Sequence, residues 1–376
     1  MYDLLKGVRV LDLTSVVLGP IATQYLGDFG ADVIKVEPPS GDIFRHVKPS
    51  RSEDMGAGFL NMNRNKRSVC LNLKNDEDNE QFFNLLSGAD VLVHNMRLSA
   101  AVRLGLGPEQ LKNSNPELVY CFAPGYGSRG RNADNPAYDD IIQAASGIAA
   151  LNSGTENEPR YIPTIVCDKV GGMHLAMAML AGIAHQAKTG KGCVIESPMF
   201  EGAVAFLMAE QLAGETYLPA IGTMGYERLL SPYRRPHKSK DGYIGVLPYD
   251  GTHWLRVLEY LKSDLATEEW VQSPTERSAR VSELYEVLSE AMPGRTTDEW
   301  LQIFQELDIP CTPVNSMQDL LSDKHLQDVG FFSESEHSGE GAIRSAHSPF
   351  WVDGVAEHPD KPAPSLQSDM IQWHTR

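Results

Sequence analysis

The opening of the chain, as far as Glu37, limits its fold more than any other stretch. Val8-Arg9-Val10-Leu11-Asp12-Leu13 is a compact apolar run that stops at Thr14 and Ser15, and Gly19-Pro20 then punctuates. A helical stretch follows from about Ile21 to Phe29, Gly30 sits where a helix ends, and Ala31-Asp32-Val33-Ile34-Lys35-Val36-Glu37 reads as a second strand. This is a β-α-β unit. It implies a parallel sheet, a right-handed crossover and a ligand bound beyond the carboxyl ends of the strands. No G-x-G-x-x-G joins the first strand to its helix, so the dinucleotide fingerprint is missing and a dehydrogenase is disfavoured.

The rhythm repeats. Ser68-Val69-Cys70-Leu71-Asn72-Leu73, a helix from about Glu77 to Leu86, Ala89-Asp90-Val91-Leu92-Val93-His94-Asn95, Leu118-Val119-Tyr120-Cys121-Phe122-Ala123 and Val194-Ile195-Glu196-Ser197-Pro198-Met199 predict an α/β fold, a doubly wound, Rossmann-like large domain over residues 1–200. Composition shifts after about Gly214, so 201–225, helical from Phe200 to Leu212, reads as a linker. Residues 226–315 read as a smaller α+β domain. They carry a turn and strand at Asp241-Gly242-Tyr243-Ile244-Gly245-Val246-Leu247-Pro248 and helical patterns near His253–Leu261, Ser278–Ala291 and Thr297–Leu307. The remainder, 316–376, has a polar helix near Met317–Gln327 and a tail rich in His, Gly, Pro and Ser, expected to return to the large domain.

The formal net charge is -17 and the pI about 5.1, which argues against nucleic-acid or anionic-membrane partners, since both depend on excess Lys and Arg. The five cysteines, Cys70, Cys121, Cys167, Cys193 and Cys311, contain no C-x-x-C pair and fit free thiols. The start has no signal-peptide core, and no run of about eighteen apolar residues is seen, so a cytoplasmic protein is expected.

Two basic clusters fall at strand ends: Asn63-Arg64-Asn65-Lys66-Arg67-Ser68 with Lys74, and Arg97 with Arg103. They could neutralise phosphates or could be solvated loops. Gly125-Tyr126-Gly127-Ser128-Arg129-Gly130 suits a close backbone approach to a ligand or a surface turn. Neither H-E-x-x-H nor G-x-S-x-G occurs.

Asp168 follows a short β-branched run and opens a long helix rich in Ala, Met and Leu. Free N–H groups and the helix dipole would favour its ionised form, suited to attack on an acyl carbon, although local pattern alone favours a capping role for an Asp at that place. Cys167, at the end of the apolar run, reads as a small core residue.

Val10-Leu11-Asp12-Leu13-Thr14, Gly19-Pro20, Gly30 to Glu37, Gly41-Asp42, Asn63 to Ser68, Ala89 to Val93, Leu104-Gly105, Asn115-Pro116, Gly125-Tyr126-Gly127, Tyr138-Asp139, Gln143-Ala144, Ser146-Gly147, Asp168 with Gly172, and Thr189-Gly190-Lys191-Gly192 occur together in this order. In this the chain resembles the family III CoA-transferases, the group containing formyl-CoA and carnitine CoA-transferases, densely to about residue 200 and again at Ile309 to Val314.

The resemblance implies that Asp168 attacks an acyl-CoA thioester, with an acyl-CoA donor, a carboxylic acid acceptor, coenzyme A as co-substrate and no metal. It places the Val16-Val17-Leu18 backbone near the thiol end of CoA, Leu73, Lys74, Asn95, Met96, Arg97 and Arg103 along the nucleotide portion, and Tyr138 and Asp139 close to the acyl group. It further implies an interlocked homodimer.

Glu37-Pro38-Pro39 stands where many relatives have Glu-Arg-Pro, and Asn95-Met96-Arg97-Leu98-Ser99 stands for Asn-Phe-Arg-Pro-Gly. Val17 is apolar where formyl-CoA transferase is polar, and no Gly-rich lid is found, which points away from small oxalate-like acids. The alternative within the superfamily is an α-methylacyl-CoA racemase, whose His-Asp pair aligns with Tyr138-Asp139; a phenol is a poor proton acceptor near neutral pH. A CoA-binding protein without catalysis is the reading from another class.

Overall fold

A computed structural model describes residues 2–153, 158–356 and 361–374. The chain divides into two compact units: a larger one made of the segment up to Ser153, Glu158–Phe206 and the segment from Gln327 onward, and a smaller one over Leu207–Leu326.

The larger unit is a mixed α/β structure. Its strands are β1 (Arg9–Asp12), β2 (Asp32–Glu37), β3 (Lys66–Cys70), β4 (Val91–His94), β5 (Val119–Phe122) and β6 (Cys193–Glu196). Its helices are α1 (Leu18–Asp28), α2 (Ala57–Met62), α3 (Asp76–Ser87), α4 (Leu98–Arg103), α5 (Pro108–Ser114), α6 (Asp139–Ser146), α7 (Ile148–Leu151), α8 (Val166–Thr189) and the first part of α9 (Met199–Gln211), which runs on into the smaller unit. The six strands run parallel in the order β3-β2-β1-β4-β5-β6. The order reverses between β1 and β4. Crossovers running outward in opposite directions from that line, right-handed by the general rule for parallel strands, would put helices on both faces.

The strands are short apolar runs because both of their faces are covered. Leu11, Ile34, Val69, Leu92 and Tyr120 pack with Phe82, Leu85 and Leu86 of α3 in one buried core. The longest helix, α8, is apolar and long enough to cross a membrane by length and composition alone. Its packing against α1, β5 and β6 gives the apolarity another cause.

Charge is buried as well. The Asn63–Ser68 cluster proves to be neither a phosphate cradle nor a solvated loop. Lys66 and Asp12 meet at 3.3 Å with both side chains fully enclosed, Arg64 pairs with Asp28 at 2.6 Å, and Arg67 pairs with Asp32 at 2.7 Å. Each base is matched by an acid on β1, α1 or β2, because a charge taken out of water must be paired. A basic cluster on its own line of sequence conceals that partnership.

The C-terminal stretch contributes α15 (Lys324–Asp328) and an antiparallel hairpin, β10 (Phe332–His337) with β11 (Gly341–Ala346). The polar helix expected over Met317–Gln327 is a 3-10 turn, Asp319–Ser322, followed by short α15, and the hairpin was not anticipated from the composition of the tail.

The smaller unit contains α10 (Glu227–Leu230), the antiparallel strands β7 (His237–Lys238), β8 (Tyr243–Val246) and β9 (Cys311–Pro313), and helices α11 (Gly251–Leu261), α12 (Pro274–Ala279), α13 (Val281–Ala291) and α14 (Thr297–Glu306). Trp254, Trp270, Leu284, Leu288, Trp300 and Phe304 fill its separate core. The α14 helix starts with a capping box between Thr296 and Glu299.

Candidate active site

The line between β1 and β4 is where a doubly wound sheet opens a crevice at its carboxyl edge. The chain leaving β1 is clasped there to the chain leaving β4: Ser15 N–H donates to Asn95 Oδ1 at 3.1 Å, and Asn95 Nδ2 donates to the Ser15 carbonyl at 2.8 Å. Two cavities flank this clasp and share Ser15 and Met96 as walls.

The next residue, Val16, has φ +71°, a left-handed conformation that a β-branched side chain resists at a cost of about 1–3 kcal/mol. Its N–H points to both oxygens of Asp42, at 3.1 and 3.2 Å. Asp42 is in turn held by buried Lys35 at 2.9 Å, and Lys35 also donates to the Thr14 carbonyl at 2.7 Å. This network fixes the turn. The side chain of Val17 is buried, and the N–H groups of Val17, Leu18 and Gly19, at the start of α1, meet no acceptor among the described residues.

The first cavity, about 350 Å³, is walled by Val16, Leu18, Asn95, Arg97, Tyr138 and Asp168, among others. Asp168 arrives there because α8 lies hard against the start of α1. A Cβ added at Gly171 would meet Leu18 Cδ1 at 2.6 Å, and one at Gly172 would meet the Leu18 carbonyl oxygen at 2.7 Å. Only glycines permit that approach.

Asp168 does not cap α8, which begins at Val166; it lies in the first turn, and no strand precedes it. The cap is supplied from elsewhere. Asp139, in the first turn of α6 and only 5% exposed, accepts from the N–H of Cys167 at 2.7 Å and of Asp168 at 3.0 Å, and its other oxygen takes Gln143 Nε2 at 2.6 Å.

The expected ionised Asp168 is therefore corrected. The helix donors that would have stabilised its carboxylate are spent on Asp139, so burial, aided by the negative Asp139, pushes its pKa up to about 7. Cys167 is buried in the helix rather than ending a strand, and burial with the two neighbouring carboxylates pushes its thiol up to about 12. It is a core residue and a poor nucleophile.

The other expected site residues separate by position. Leu73 and Lys74 line the second cavity, about 370 Å³, with Glu37, Pro38 and Asp42. Asn95 and Met96 line the first, and Arg97 joins it while donating to the Asp134 carbonyl at 2.8 Å. Arg103 is exposed at the end of α4 and lines neither. Tyr138 is 69% exposed at the rim, whereas Asp139 is beneath the floor. The glycine loop at 125–130 is anchored by Glu201, which accepts from Gly127 N–H, and by Glu196, which accepts from Ser128. Asp42 and Lys35 were not singled out by sequence as parts of the site; a Lys inside an apolar strand run was the available signal.

An open crevice at a parallel-sheet switch point, a perturbed carboxylate and helix-start donors without an acceptor among the described residues are features suited to acyl chemistry. Residues 5–370 match CoA-transferase family III, and the chain belongs to that family. Coenzyme A is the co-substrate that such an activity implies.

The chain is 31% identical over 344 residues to succinyl-CoA:glutarate CoA-transferase of Homo sapiens, covering 90% of this chain and 78% of that one. It is 30% identical over 376 residues to succinyl-CoA:mesaconate CoA-transferase of Haloarcula marismortui, covering 96% and 93%. The crystal structure of Rv3272 from Mycobacterium tuberculosis matches with a TM-score of 0.84 at 28% identity, covering 98% of both chains. That of a CAIB/BAIF family protein from Brucella suis matches at 0.80, also 28% identical.

Proposed function

We propose that this chain transfers CoA from an acyl-CoA to a carboxylic acid through covalent intermediates on Asp168. The observation that carries this is that Asp168 lines one cavity with Val16 and Leu18, at the start of a helix whose first N–H groups meet no acceptor among the described residues. A half-buried carboxylate with a raised pKa is a stronger nucleophile once ionised, and backbone donors can receive the oxyanion that forms.

An Asp168 oxygen adds to the thioester carbonyl, the C–S bond breaks, and CoA thiolate leaves behind a mixed anhydride. The thiolate attacks the aspartyl carbonyl, releasing the first acid as its carboxylate and leaving an aspartyl-CoA thioester. The acceptor carboxylate attacks that carbonyl and again expels the thiolate, which finally attacks the acyl carbon of the second anhydride. Asp168 is regenerated and no net proton is consumed. The second cavity, with Lys74 at its wall and adjoining the first, suits the nucleotide portion of CoA.

Proton abstraction by Tyr138 and Asp139, as a racemase would need, is disfavoured, because the Asp139 oxygens are committed to the start of α8 and to Gln143. The interlocked dimer implied by the resemblance belongs to this reading, and a monomer mass by light scattering would remove it.

The test is intact mass after mixing with a panel of acyl-CoA donors, with hydroxylamine trapping and peptide mapping. An adduct on Asp168 is expected; deuterium exchange at the acyl α-carbon without any adduct would overturn the reading. Because the nucleophile must be ionised, kcat/KM is expected to rise about tenfold per pH unit up to about 7 and then level. A pH-rate profile flat down to pH 5 would contradict it.

A further inference from the structure

The smaller unit has a cavity of about 500 Å³ whose walls carry Arg228, Arg234, Arg235 and His237 and no Asp or Glu. In a chain with 50 acidic residues against 33 Lys and Arg, such a concentration of unbalanced positive charge is conspicuous. Elsewhere the described arginines Arg45, Arg64 and Arg67 are each answered by a carboxylate. Neither Arg234 nor Arg235 has an ion pair or a side-chain hydrogen bond among the described residues, and both are exposed. The Nε of Arg228 is enclosed without an acceptor among the described residues, while the rest of its guanidinium is engaged by the Tyr226 and Tyr285 hydroxyls.

A buried donor left unmade is costly, and a ligand oxygen would remove the cost. A guanidinium presents paired donors that match a carboxylate edge to edge. Three of them supply more charge than one carboxylate neutralises, so a dianion fits better than a monoanion. His237 adds no positive charge near neutral pH, because burial and the neighbouring Arg235 hold its pKa below the usual imidazole range. Its Nδ1 instead contacts the Ser289 hydroxyl at 3.1 Å. The cavity volume is ample for a short diacid.

We propose that this arginine-lined cavity binds a small dicarboxylate anion. The assignment rests on the transfer reading above only in taking carboxylic acids as the relevant ligands.

Titration calorimetry on the full chain tests it, with glutarate, butyrate and inorganic phosphate as separate probes. Glutarate is expected to bind at least tenfold more tightly than butyrate and more tightly than phosphate. The double variant Arg234→Gln/Arg235→Gln, altered only at exposed positions, is expected to lose at least tenfold in glutarate affinity while its melting temperature is kept. Unchanged glutarate binding in the double variant, no glutarate binding to the unaltered chain, or phosphate binding as tight as glutarate would each overturn the proposal. The same titration on Asp168→Asn separates the two readings, because diacid binding there is expected to persist whether or not Asp168 forms an adduct.

Discussion

Asp168→Asn is expected to lower kcat/KM for CoA transfer by at least about 10⁴-fold, the scale seen when a covalent nucleophile is removed. An amide is nearly isosteric with the carboxylate, so the cavity should keep its shape and acyl-CoA should still bind. The same change is expected to stabilise the fold at high pH. Asp168 has a folded pKa raised to about 7 from an ordinary value of 3.8, so the unfolded chain ionises first. Stability from this group therefore falls as pH rises from about 4 to 7, and the full penalty applies above that range. Because the carboxylate is only partly enclosed, the penalty is on the order of 1–2 kcal/mol rather than the whole shift. Thermal melts at pH 8 and pH 4 measure it: the variant should melt higher than the unaltered chain at pH 8, with the advantage gone at pH 4. Retained activity in Asp168→Asn, with no gain at pH 8, would remove Asp168 from both roles.

Gly172→Ala is expected to cost about 10²-fold in kcat, although Gly172 makes no contact with the proposed reacting atoms. Placing Ala inside a helix favours it by about 1 kcal/mol over Gly. Against that, the new methyl would lie 2.7 Å from the Leu18 carbonyl oxygen and 3.3 Å from Ile21 Cγ2, and overpacking of this kind costs about 1–3 kcal/mol. The obstruction is backbone and cannot rotate away, so α8 must retreat from α1. That retreat carries Asp168 away from the N–H groups of Val17 and Leu18. The expected signature is a lower kcat and a lower melting temperature together. A variant with normal turnover that melts higher would show that helix propensity wins and that this contact does not seat the nucleophile.

The β-α-β rhythm was readable because strands covered on both faces must be short apolar runs, and Gly30 and Gly19-Pro20 mark where the helix between them ends and begins. Asp168 could be picked out beside the start of a helix, but not its protonation. That depends on Asp139, 28 residues earlier in the hydrogen bond to Cys167, taking the donors first. Pairings between distant segments leave no local pattern, which is also why Arg64, Lys66 and Arg67 resembled a surface cluster while their acids sat on β1, α1 and β2. The hairpin at the C-terminal end escaped notice for a different reason. Its first strand, Phe332-Ser333-Glu334-Ser335-Glu336-His337, is polar after Phe332, and its second, Gly341-Ala342-Ile343-Arg344-Ser345-Ala346, has one large apolar residue, so the pair offers little hydrophobic period.

The enclosed pairing of Glu37 with Arg45 at 2.7 Å bears on how the protein meets acid. Burial works against the Glu37 carboxylate, yet Arg45, Lys35 and Ser68 outweigh it and hold its pKa at about 2. A depressed pKa of this kind contributes stability that is complete above about 4.5 and drains away only as pH falls toward 2. Asp168 takes up its proton much earlier, near 7. On the proposed mechanism, acidification to pH 5 is expected to idle the reaction while this brace beside the second cavity stays ionised.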